Sequence, residues 1–493
     1  MTEKTWGWTS FWVSMLLVGV LIGLWVLESQ RKPEIKMQLT SLTGECPSST
    51  DTSDTNDCGV DTWLKDNWYS LSKRENDEPS KGIEIPTGIF IQSLKFDSAS
   101  EVNLTGYLWQ TFSKKKLADI GKQLVWTTAF EKEIAEATRD KIRDNGFVIF
   151  PEEVSSSNTR IILTDEILLK KEQTTGTEEV LKDNILSDSR LQNDDDEVLF
   201  IWYFDTTLRQ RFHYDEYPFD TKKVWVKMWP KSFGSRGIIL IPDLASYKDT
   251  NTDAIFGIEK EIVWGGWERK NTFFDYECSS YDTTFGVGNF LDLKKLEANL
   301  SCWWKGNTEL KSIYPTLRYN IVVKRKFLNA FIINFIPLFV VAMLLFGLTM
   351  MVTGNQAKTN KFGLSTSGII ASCSALFFTV MLSHIQLREQ FEGAGFIYMG
   401  YFYLLIYLLI LMVAINSYLF SVGWSSRLGI IPYKDNLIPK VVFWPFLLGA
   451  MVIITLIAFW HFLIGSAVVI ITLIALGWGV KSIAKRSSGL TKT

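Results

Sequence analysis

The chain has 493 residues and a formal net charge of −2; 47% of its residues are hydrophobic, 14% are aromatic and only 21% are charged. A soluble domain carries roughly 25% charged residues, so this composition favours a membrane protein with a large water-facing part. The 51 Lys and Arg residues are balanced by 53 Asp and Glu residues. No basic surplus is left for a phosphate backbone, which argues against nucleic acid as a partner.

The first predicted element is a membrane-spanning helix. Residues 6–27 contain no charge, and about 20 apolar residues suffice to cross a bilayer. The alternative is a secretory signal peptide, which has a short apolar core and a small-residue cleavage site. Because the Trp-rich run ends instead in Leu27-Glu28-Ser29-Gln30, we expect residues 1–30 to form an uncleaved transmembrane anchor.

The next segment, residues 31–82, is polar and is predicted to be an appendage of the main domain. Four cysteines of the water-facing region allow two disulfides, which pair Cys46 with Cys58 and Cys278 with Cys302. Both disulfides would suit an oxidising compartment. Buried free thiols are the alternative, since the spacing alone does not fix the geometry of a pair.

The central region, residues 83–325, alternates between apolar and polar residues in several places. The pattern includes Val224, Val226 and Met228 in one run and Leu317, Tyr319, Ile321 and Val323 in another. A period of two predicts β-strands. Helical spacing occurs mainly at residues 114–144, so we expect a mostly β domain with a minor helical insert.

The region from residue 326 to residue 480 is predicted to be a transmembrane domain. Its uncharged runs are residues 327–352, 362–387, 393–426 and 441–480. Each of the first three fits one helix, whereas the last is either two helices that turn near residues 461–466 or one helix that projects from the bilayer.

We favour two helices, and therefore six spans, because the basic tail at residues 481–493 then stays in the cytoplasm with the amino terminus. This topology places a multi-pass protein in the cell (inner) membrane, with its β domain extracellular or periplasmic.

The second run in this domain carries a graded stripe of side chains. Steps of three and four residues place on one helical face Ser367, Ile370, Ser374, Phe377, Met381, His384 and Arg388. Several copies around an axis would form hydroxyl rings, an apolar constriction and an outer charged ring, which are the parts of a gated pore. An ordinary interface between helices is the alternative.

A family resemblance favours the pore. The run Phe-His-Tyr-Asp-Glu-Tyr-Pro-Phe-Asp at residues 212–220 resembles the F-x-x-x-x-F/Y-P-F-D signature of pentameric ligand-gated ion channels, the superfamily that includes the Cys-loop receptors. Residues 107–110 resemble the aromatic complementary strand of that family, and residues 324–326 resemble its basic junction before the first channel helix. Pro337 matches the proline within that helix.

The resemblance covers roughly residues 85–460 and has two departures. No cysteines flank the loop from Tyr217 to Asp220, so the chain is similar to the prokaryotic members of the family. The long connection between the first two channel helices leaves the pore register open, with either Ile370 or Phe377 as the main gate.

The resemblance implies a mixed fold: an extracellular antiparallel β-sandwich followed by an all-α bundle of four channel helices. The N-terminal transmembrane helix and an extra C-terminal helix would be additions to that plan. The implied assembly is a homopentamer around a pore for inorganic ions, surrounded by membrane lipids.

The family's ligand site lies between neighbouring sandwiches. Its principal face is expected to contain Phe150, Trp229, Phe274, Tyr276 and Tyr281, and Tyr107 and Trp109 would face it from the next subunit. Aromatic rings attract cations by roughly 0.5–2 kcal/mol each, so a small-molecule or ionic agonist such as an amine would fit. The alternative is that these rings are core residues.

The resemblance also implies a coupling site at the junction of sandwich and helices, formed by Tyr217, Pro218, Phe219, Asp220 and Arg325. A carboxylate and a guanidinium there would form a hydrogen-bonded pair. We expect a weak anion preference, because Lys358, Lys361 and Arg388 lie near the ends of the stripe and no acidic residue stands at its cytoplasmic mouth. Glu389 opposes this preference.

Other functions find less support in the sequence. We find no nucleotide-binding loop, no metal-ligand cluster and no nucleophile–base pair, so we expect neither an enzyme nor a cofactor or metal site. The acidic run at residues 194–197 is interpreted as a solvated loop. A secondary transporter would require paired inverted repeats. The competing hypothesis is a membrane-anchored sensory receptor that uses the same fold without conducting ions.

Overall fold

The computed structural model describes residues 3–33, 35, 37–44, 46, 57–67, 83–124, 148–149, 160–169, 197–230, 238–281, 312–354, 365–391, 395–423 and 435–459. These residues belong to two structural units. The strand-rich unit combines Pro33–Phe212 with Lys222–Lys324, and the helical unit combines Met1–Lys32, His213–Thr221 and Arg325–Thr493. The predicted order, a mostly β region followed by apolar helices, is confirmed.

The strand-rich unit contains two sheets. The described strands are β1 (Gln38–Ser41), β2 (Asp57–Gly59), β3 (Ile83–Phe96), β4 (Glu101–Ser113), β5 (Val148–Ile149), β6 (Arg160–Leu169), β7 (Glu197–Arg209), β8 (Thr221–Pro230), β9 (Ile238–Pro242), β10 (Trp267–Tyr281) and β11 (Ser312–Arg325). One sheet has the order β2-β1-β10-β11-β8-β5, and the other has the order β6-β7-β4-β3-β9.

The sheets are mixed, which corrects the expectation of purely antiparallel sheets. β4 pairs antiparallel with β3 and β7, whereas β9 pairs parallel with β3 and β2 pairs parallel with β1. A parallel pair requires a long crossover connection. β9 meets this condition because it follows β3 only after β4, β6, β7 and β8.

The period of two in the sequence produces the core of this unit. Burial alternates at every residue along β4, and Val224, Val226 and Met228 of β8 are fully buried, as the alternation predicts. A single hydrophobic core contains buried side chains from both sheets, among them Phe200 of β7 and Phe274 of β10.

The segment predicted to be an appendage contributes to the sheet itself. β1 lies between β2 and β10, and its Leu39 stands opposite Phe274. The short helix α2 (Val60–Asn67) follows β2, and its Trp63 stacks on Tyr276 with 4.5 Å between ring centroids. A few apolar residues within a polar composition therefore join this segment to the core.

Two further sequence predictions fall in the strand-rich unit. The sulfurs of Cys46 and Cys58 are bonded to each other. The predicted helical insert begins as α3 (Lys114–Leu124), which buries Leu117 and Ile120. The remainder of that insert, residues 125–144, lies outside the described residues.

The helical unit contains α1 (Glu3–Gln30), α4 (Phe327–Met351), α5 (Thr366–Gln390), α6 (Tyr398–Ser421) and α7 (Leu437–Phe459). Within the described part of the chain these five helices are long and apolar enough to cross a membrane, which identifies a membrane protein. The expected sixth span, beyond residue 459, lies outside that part.

Contacts near the helix ends give the direction of each helix. α4 ends near the start of α7, because Thr353 Oγ1 and Gly354 N each donate a hydrogen bond of 2.6 Å to the Asp435 carboxylate. α1 runs parallel to α7, since Ser10 Oγ donates to Val441 O at 2.5 Å near the amino ends of both helices.

We call the other end of this unit, where α1 and α7 finish and α4 and α6 begin, the loop end, because residues 213–221 pack there.

Candidate functional site

Residues 213–221, which connect β7 to β8, form a compact loop within the helical unit. Two backbone hydrogen bonds close it, from Tyr217 N to Tyr214 O at 2.9 Å and from Phe219 N to Glu216 O at 2.8 Å. The Tyr217–Pro218 peptide bond is cis. Tyr217, Pro218, Phe219 and Asp220 are all buried, so most of the signature sequence lies inside the protein.

Asp220 and Arg325 form a bidentate ion pair in this loop. Arg325 Nε donates to Asp220 Oδ1 at 2.6 Å, and a second guanidinium nitrogen donates to Oδ2 at 3.0 Å. The side chains of Asp220 and Arg325 are 1% and 14% exposed. The backbone adds a hydrogen bond from Arg325 N to Asp220 O. A parallel fork of this kind fixes orientation as well as charge.

Aromatic rings surround the ion pair. The guanidinium carbon of Arg325 lies 4.8 Å from the centroid of the Tyr217 ring and 5.9 Å from that of Phe391. Phe391 is the first residue after α5 and also packs against Tyr214 and Tyr217, with centroid distances of 4.8 and 4.6 Å. The end of α5 is therefore attached to the loop by tilted ring contacts and by the Arg325 cation.

The other side of the loop contacts the remaining helices. The Phe219 ring stacks on Phe327 of α4 at 4.8 Å and meets Phe459 of α7 at 5.5 Å. Asn334 Nδ2 of α4 donates to the Tyr217 hydroxyl at 2.8 Å, and Tyr398 N, at the start of α6, donates to Asp215 O at 2.8 Å. One loop thus touches α4, α5, α6 and α7.

Burial controls the ionisation of the two loop tyrosines. It raises the pKa of Tyr214 far above the usual range, and the nearby Asp220 carboxylate adds to the effect. Burial also raises the pKa of Tyr217, against the opposing effect of Arg325. Both phenols are therefore harder to ionise than a tyrosine in water.

Lys222, just after the loop, lies in a cage of aromatic rings within the strand-rich unit. Its ammonium group is 4.1 Å from the centroid of Phe96, 4.5 Å from that of Phe212 and 4.9 Å from that of Trp267. Phe212 immediately precedes the loop and Lys222 immediately follows it. The cation–π contact thus holds together the two strand ends from which the loop departs.

The faces of α5 differ in burial. Ile369, Cys373, Val380 and Leu387 are buried and lie on one face, since an α-helix has 3.6 residues per turn. The opposite face carries exposed side chains, in steps of four and three residues: Ala371, Ala375, Phe378, Leu382, Ile385 and Glu389. Phe378 and Leu382 are 58% and 60% exposed.

The predicted pore stripe lies between these two faces. Phe377 is 40% exposed and its ring contacts Tyr407 of α6 at 5.4 Å. His384 stacks on Tyr403 at 4.9 Å, and Met381 is partly buried.

The other members of the stripe are Ser367, Ile370, Ser374 and Arg388, all exposed. Arg388 donates to Gly395 O at 2.8 Å. The most exposed face of α5 in this chain is thus displaced by one residue from the predicted stripe.

Two residues of the predicted ligand site lie on the partly exposed face of β4. Tyr107 packs edge-on against Tyr203 of β7 at 5.6 Å. Trp109 Nε1 donates to Asp243 Oδ2 at 2.8 Å, and its ring lies on Gly88 of β3, where a Cβ would come within 2.1 Å of the indole. Only glycine at residue 88 permits this position of the tryptophan.

Phe274 and Tyr276 were also predicted to line this site, and both are buried within the described chain. Phe274 is 0% exposed and Tyr276 is 5% exposed. The Tyr276 hydroxyl donates to Leu240 O at 2.8 Å inside the core. These two rings are core residues because consecutive residues of β10 are buried on both faces of the sheet.

The other predicted ligand contacts are not described at the side-chain level. Phe150 and Cys302 lie outside the described residues, and so do the side chains of Trp229, Cys278 and Tyr281. The backbone places Trp229 opposite Ile149 in the β5–β8 pair. Within the described residues no group of three or more His, Cys, Asp or Glu side chains is arranged to hold a metal ion.

Comparison with known proteins adds no identification: no protein-family model matches the chain, and no curated protein matches it significantly. The site therefore rests on its own geometry. Sequence reasoning did not single out Asn334, Phe391 or Tyr398. Asn334 carried a usable signal, since an amide inside an apolar span requires a partner. Phe391 and Tyr398 are ordinary aromatic residues at helix ends.

Proposed function

We propose that this chain is a subunit of a pentameric ligand-gated ion channel, with a pore lined by α5. The observation that carries the proposal is the burial pattern of α5. Its exposed face, which runs from Ala371 to Glu389, lies opposite the buried side chains of Ile369, Cys373, Val380 and Leu387. A helix with one face on its own subunit and the opposite face bare is suited to line a shared axis.

The pore face would contain Ala371, Ala375, Phe378, Leu382 and Ile385 and end in Glu389. Rings of Phe378 and Leu382 would form an apolar constriction of the kind that gates by dewetting. The small side chains of Ala371 and Ala375 would leave a wider vestibule beside it. In this proposal the candidate gate is Phe378, in place of Ile370 or Phe377.

Gating would be a population shift between two packings of the loop end. The Asp220–Arg325 pair, the Tyr217 ring and Phe391 connect the loop directly to the end of the proposed pore helix. A ligand that binds more tightly to the open arrangement pulls the equilibrium towards it by its difference in affinity between the two states. Phe391 would move with the loop and tilt α5.

Ligand binding is assigned to the strand-rich unit, which we propose to be a β-sandwich outside the membrane. The single core with side chains from both sheets supports a sandwich. Tyr107 and Trp109, on the partly exposed face of β4, would face Phe150, Trp229 and Tyr281 of a neighbouring subunit. The agonist would be a small molecule or ion, with cations favoured by the aromatic rings.

The proposal is tested by recording from purified full-length protein in a planar bilayer, with Phe378→Ala and Phe377→Ala as a matched pair. We expect single-channel steps whose conductance or open probability changes in Phe378→Ala. Phe377→Ala should instead lower thermal stability, because it removes the ring contact with Tyr407 of α6.

Two outcomes would contradict the proposal. Intact pentamers without currents under any condition would favour the non-conducting sensory receptor. A solubilised complex with a mass other than about five times the 56.4 kDa chain mass would contradict the pentamer, and a monomer would also remove the shared axis on which the pore depends.

A further inference from the structure

The tryptophans of α1 differ sharply in burial. Trp8 and Trp12 are 64% and 62% exposed, whereas Trp25 is 8% exposed. Leu21 and Glu28, four residues before and three residues after Trp25, are also buried, so one face of the carboxyl-terminal half of α1 is packed in protein. A helix that only anchors a chain in lipid does not require such a face.

The Trp25 ring packs on three phenylalanines of α4. Its centroid is 4.8 Å from that of Phe335 and 5.9 Å from those of Phe331 and Phe327. These residues are spaced four apart and form one face of α4. Phe327 is also the ring on which Phe219 of the loop stacks, so Trp25 and the loop share a packing partner.

The indole nitrogen of Trp25 makes a second connection. It donates to the Tyr398 hydroxyl at 2.9 Å, which also lies 2.7 Å from Thr455 Oγ1 of α7. The Tyr398 backbone N–H donates to Asp215 O of the loop. Because Tyr398 is 1% exposed, a break in this hydrogen bond would leave polar groups without water to replace the lost partner.

Contacts along the helices keep α1 beside α7. Ser10 Oγ bonds to Val441 O near the amino ends, and Leu17 Cδ1 lies 4.0 Å from the position that a Cβ on Gly449 would occupy. Trp25 thus belongs to a helix that is packed along much of its length. Through Phe327 and Tyr398, Trp25 reaches the partners of the loop.

We infer that Trp25 of α1 is a positioning residue that joins α4 to α6 at the loop end and so sets how firmly residues 213–221 are held. The consequence for gating rests on the proposed function, whereas the clamp itself rests on geometry. α1 would then be a regulatory element of the channel as well as an anchor.

The clamp is tested by amide hydrogen exchange of the full chain in detergent, which requires neither agonist nor conduction. Trp25→Phe removes the indole donor but keeps a ring, Tyr398→Phe removes the acceptor, and Trp12→Phe on the exposed face of α1 is the control. We expect exchange in residues 213–221 to become about fivefold to tenfold faster in each of the first two variants.

Tyr398→Phe also removes the hydrogen bond with Thr455. The double variant should therefore be no worse than Tyr398→Phe alone, because Trp25→Phe then has no further hydrogen bond to break. Additive effects, or unchanged exchange in a Trp25→Phe protein that assembles normally, would overturn the clamp. Thermal unfolding of each variant shows whether faster exchange arises from global destabilisation, which would also exclude the specific role.

A second measurement addresses regulation. The recording uses planar bilayers with symmetric KCl and no added ligand. Trp25→Phe should change the open probability by the same factor as the exchange rate, about fivefold to tenfold, and Trp12→Phe should leave it unchanged. An unchanged open probability would overturn the regulatory role of α1. If the unmodified protein passes no current under any condition, the proposed channel function fails, while the exchange experiment still decides whether the clamp exists.

Discussion

At the scale of single residues, the loop depends on a charge that is almost removed from water. Asp220 is 1% exposed and shares both carboxylate oxygens with Arg325. Burying an ion is costly, and removing one partner of a buried pair leaves the other without compensation. Arg325 would then lose the acceptor of both of these hydrogen bonds, while its contacts with the rings of Tyr217 and Phe391 add no negative charge.

We therefore predict that Asp220→Asn destabilises the helical unit by about 3–5 kcal/mol, seen as a lower unfolding temperature and a lower yield of assembled protein. Asp215→Asn is the matched control, because the Asp215 side chain is exposed and its backbone carbonyl keeps the bond to Tyr398. Equal stability of the two variants would remove Asp220 from the coupling site.

At the scale of elements, β1 and β2 are short strands that need help to stay in the sheet. β1 has four residues and β2 has three, and the bond between Cys46 and Cys58 closes the chain between them. Disulfides stabilise mainly by restricting the unfolded chain, and a loop of this size contributes about 3 kcal/mol in that model.

We expect Cys46→Ser combined with Cys58→Ser to lower the thermal stability of the strand-rich unit by about 2–4 kcal/mol. Dithiothreitol should lower the unfolding temperature of the natural sequence by as much as the double substitution does. If it still lowers the unfolding temperature of the double variant, a second disulfide exists, as the predicted pair Cys278–Cys302 requires. If dithiothreitol leaves the unfolding temperature of the natural sequence unchanged, the disulfide between Cys46 and Cys58 has no stabilising role.

Local periodicity allowed two of the described strands and the long helices to be predicted. β8 and β11 follow from their alternating residues, and five helices follow from uncharged runs. The parallel β3–β9 pair did not follow, because strand partners far apart in sequence leave no local signal. The burial of Phe274 did not follow either, because the sequence of a strand buried on both faces does not distinguish a core ring from a surface ring.

The α5 face illustrates a different limit. Steps of three and four residues define a stripe on a helix but not its rotation, and each residue turns the helix by about 100°. The structure adds the packing against α6, where Tyr407 contacts Phe377 and Tyr403 stacks on His384. The sequence could therefore predict that a stripe exists, whereas its position required the neighbouring helix.

At the scale of the whole molecule, the proposed assembly multiplies each charge near the pore. Glu389 ends the bare face of α5 and is exposed. Arg388, one residue earlier, points to one side and donates to Gly395 O in the linker after α5. In a pentamer the Glu389 carboxylates would form a ring at the mouth, whereas the guanidinium groups would be held against the linker.

Ion selectivity follows the charges that face the pore, so this geometry weakens the anion preference expected from the basic residues of the sequence. We predict that Glu389→Gln moves the reversal potential in a KCl gradient towards anion selectivity. Arg388→Gln removes one charge of the opposite sign per subunit. It should shift the reversal potential by less than Glu389→Gln does. If Arg388→Gln causes the larger shift, the predicted stripe that ends in Arg388 faces the pore. The face that ends in Glu389 would then be excluded as the pore lining.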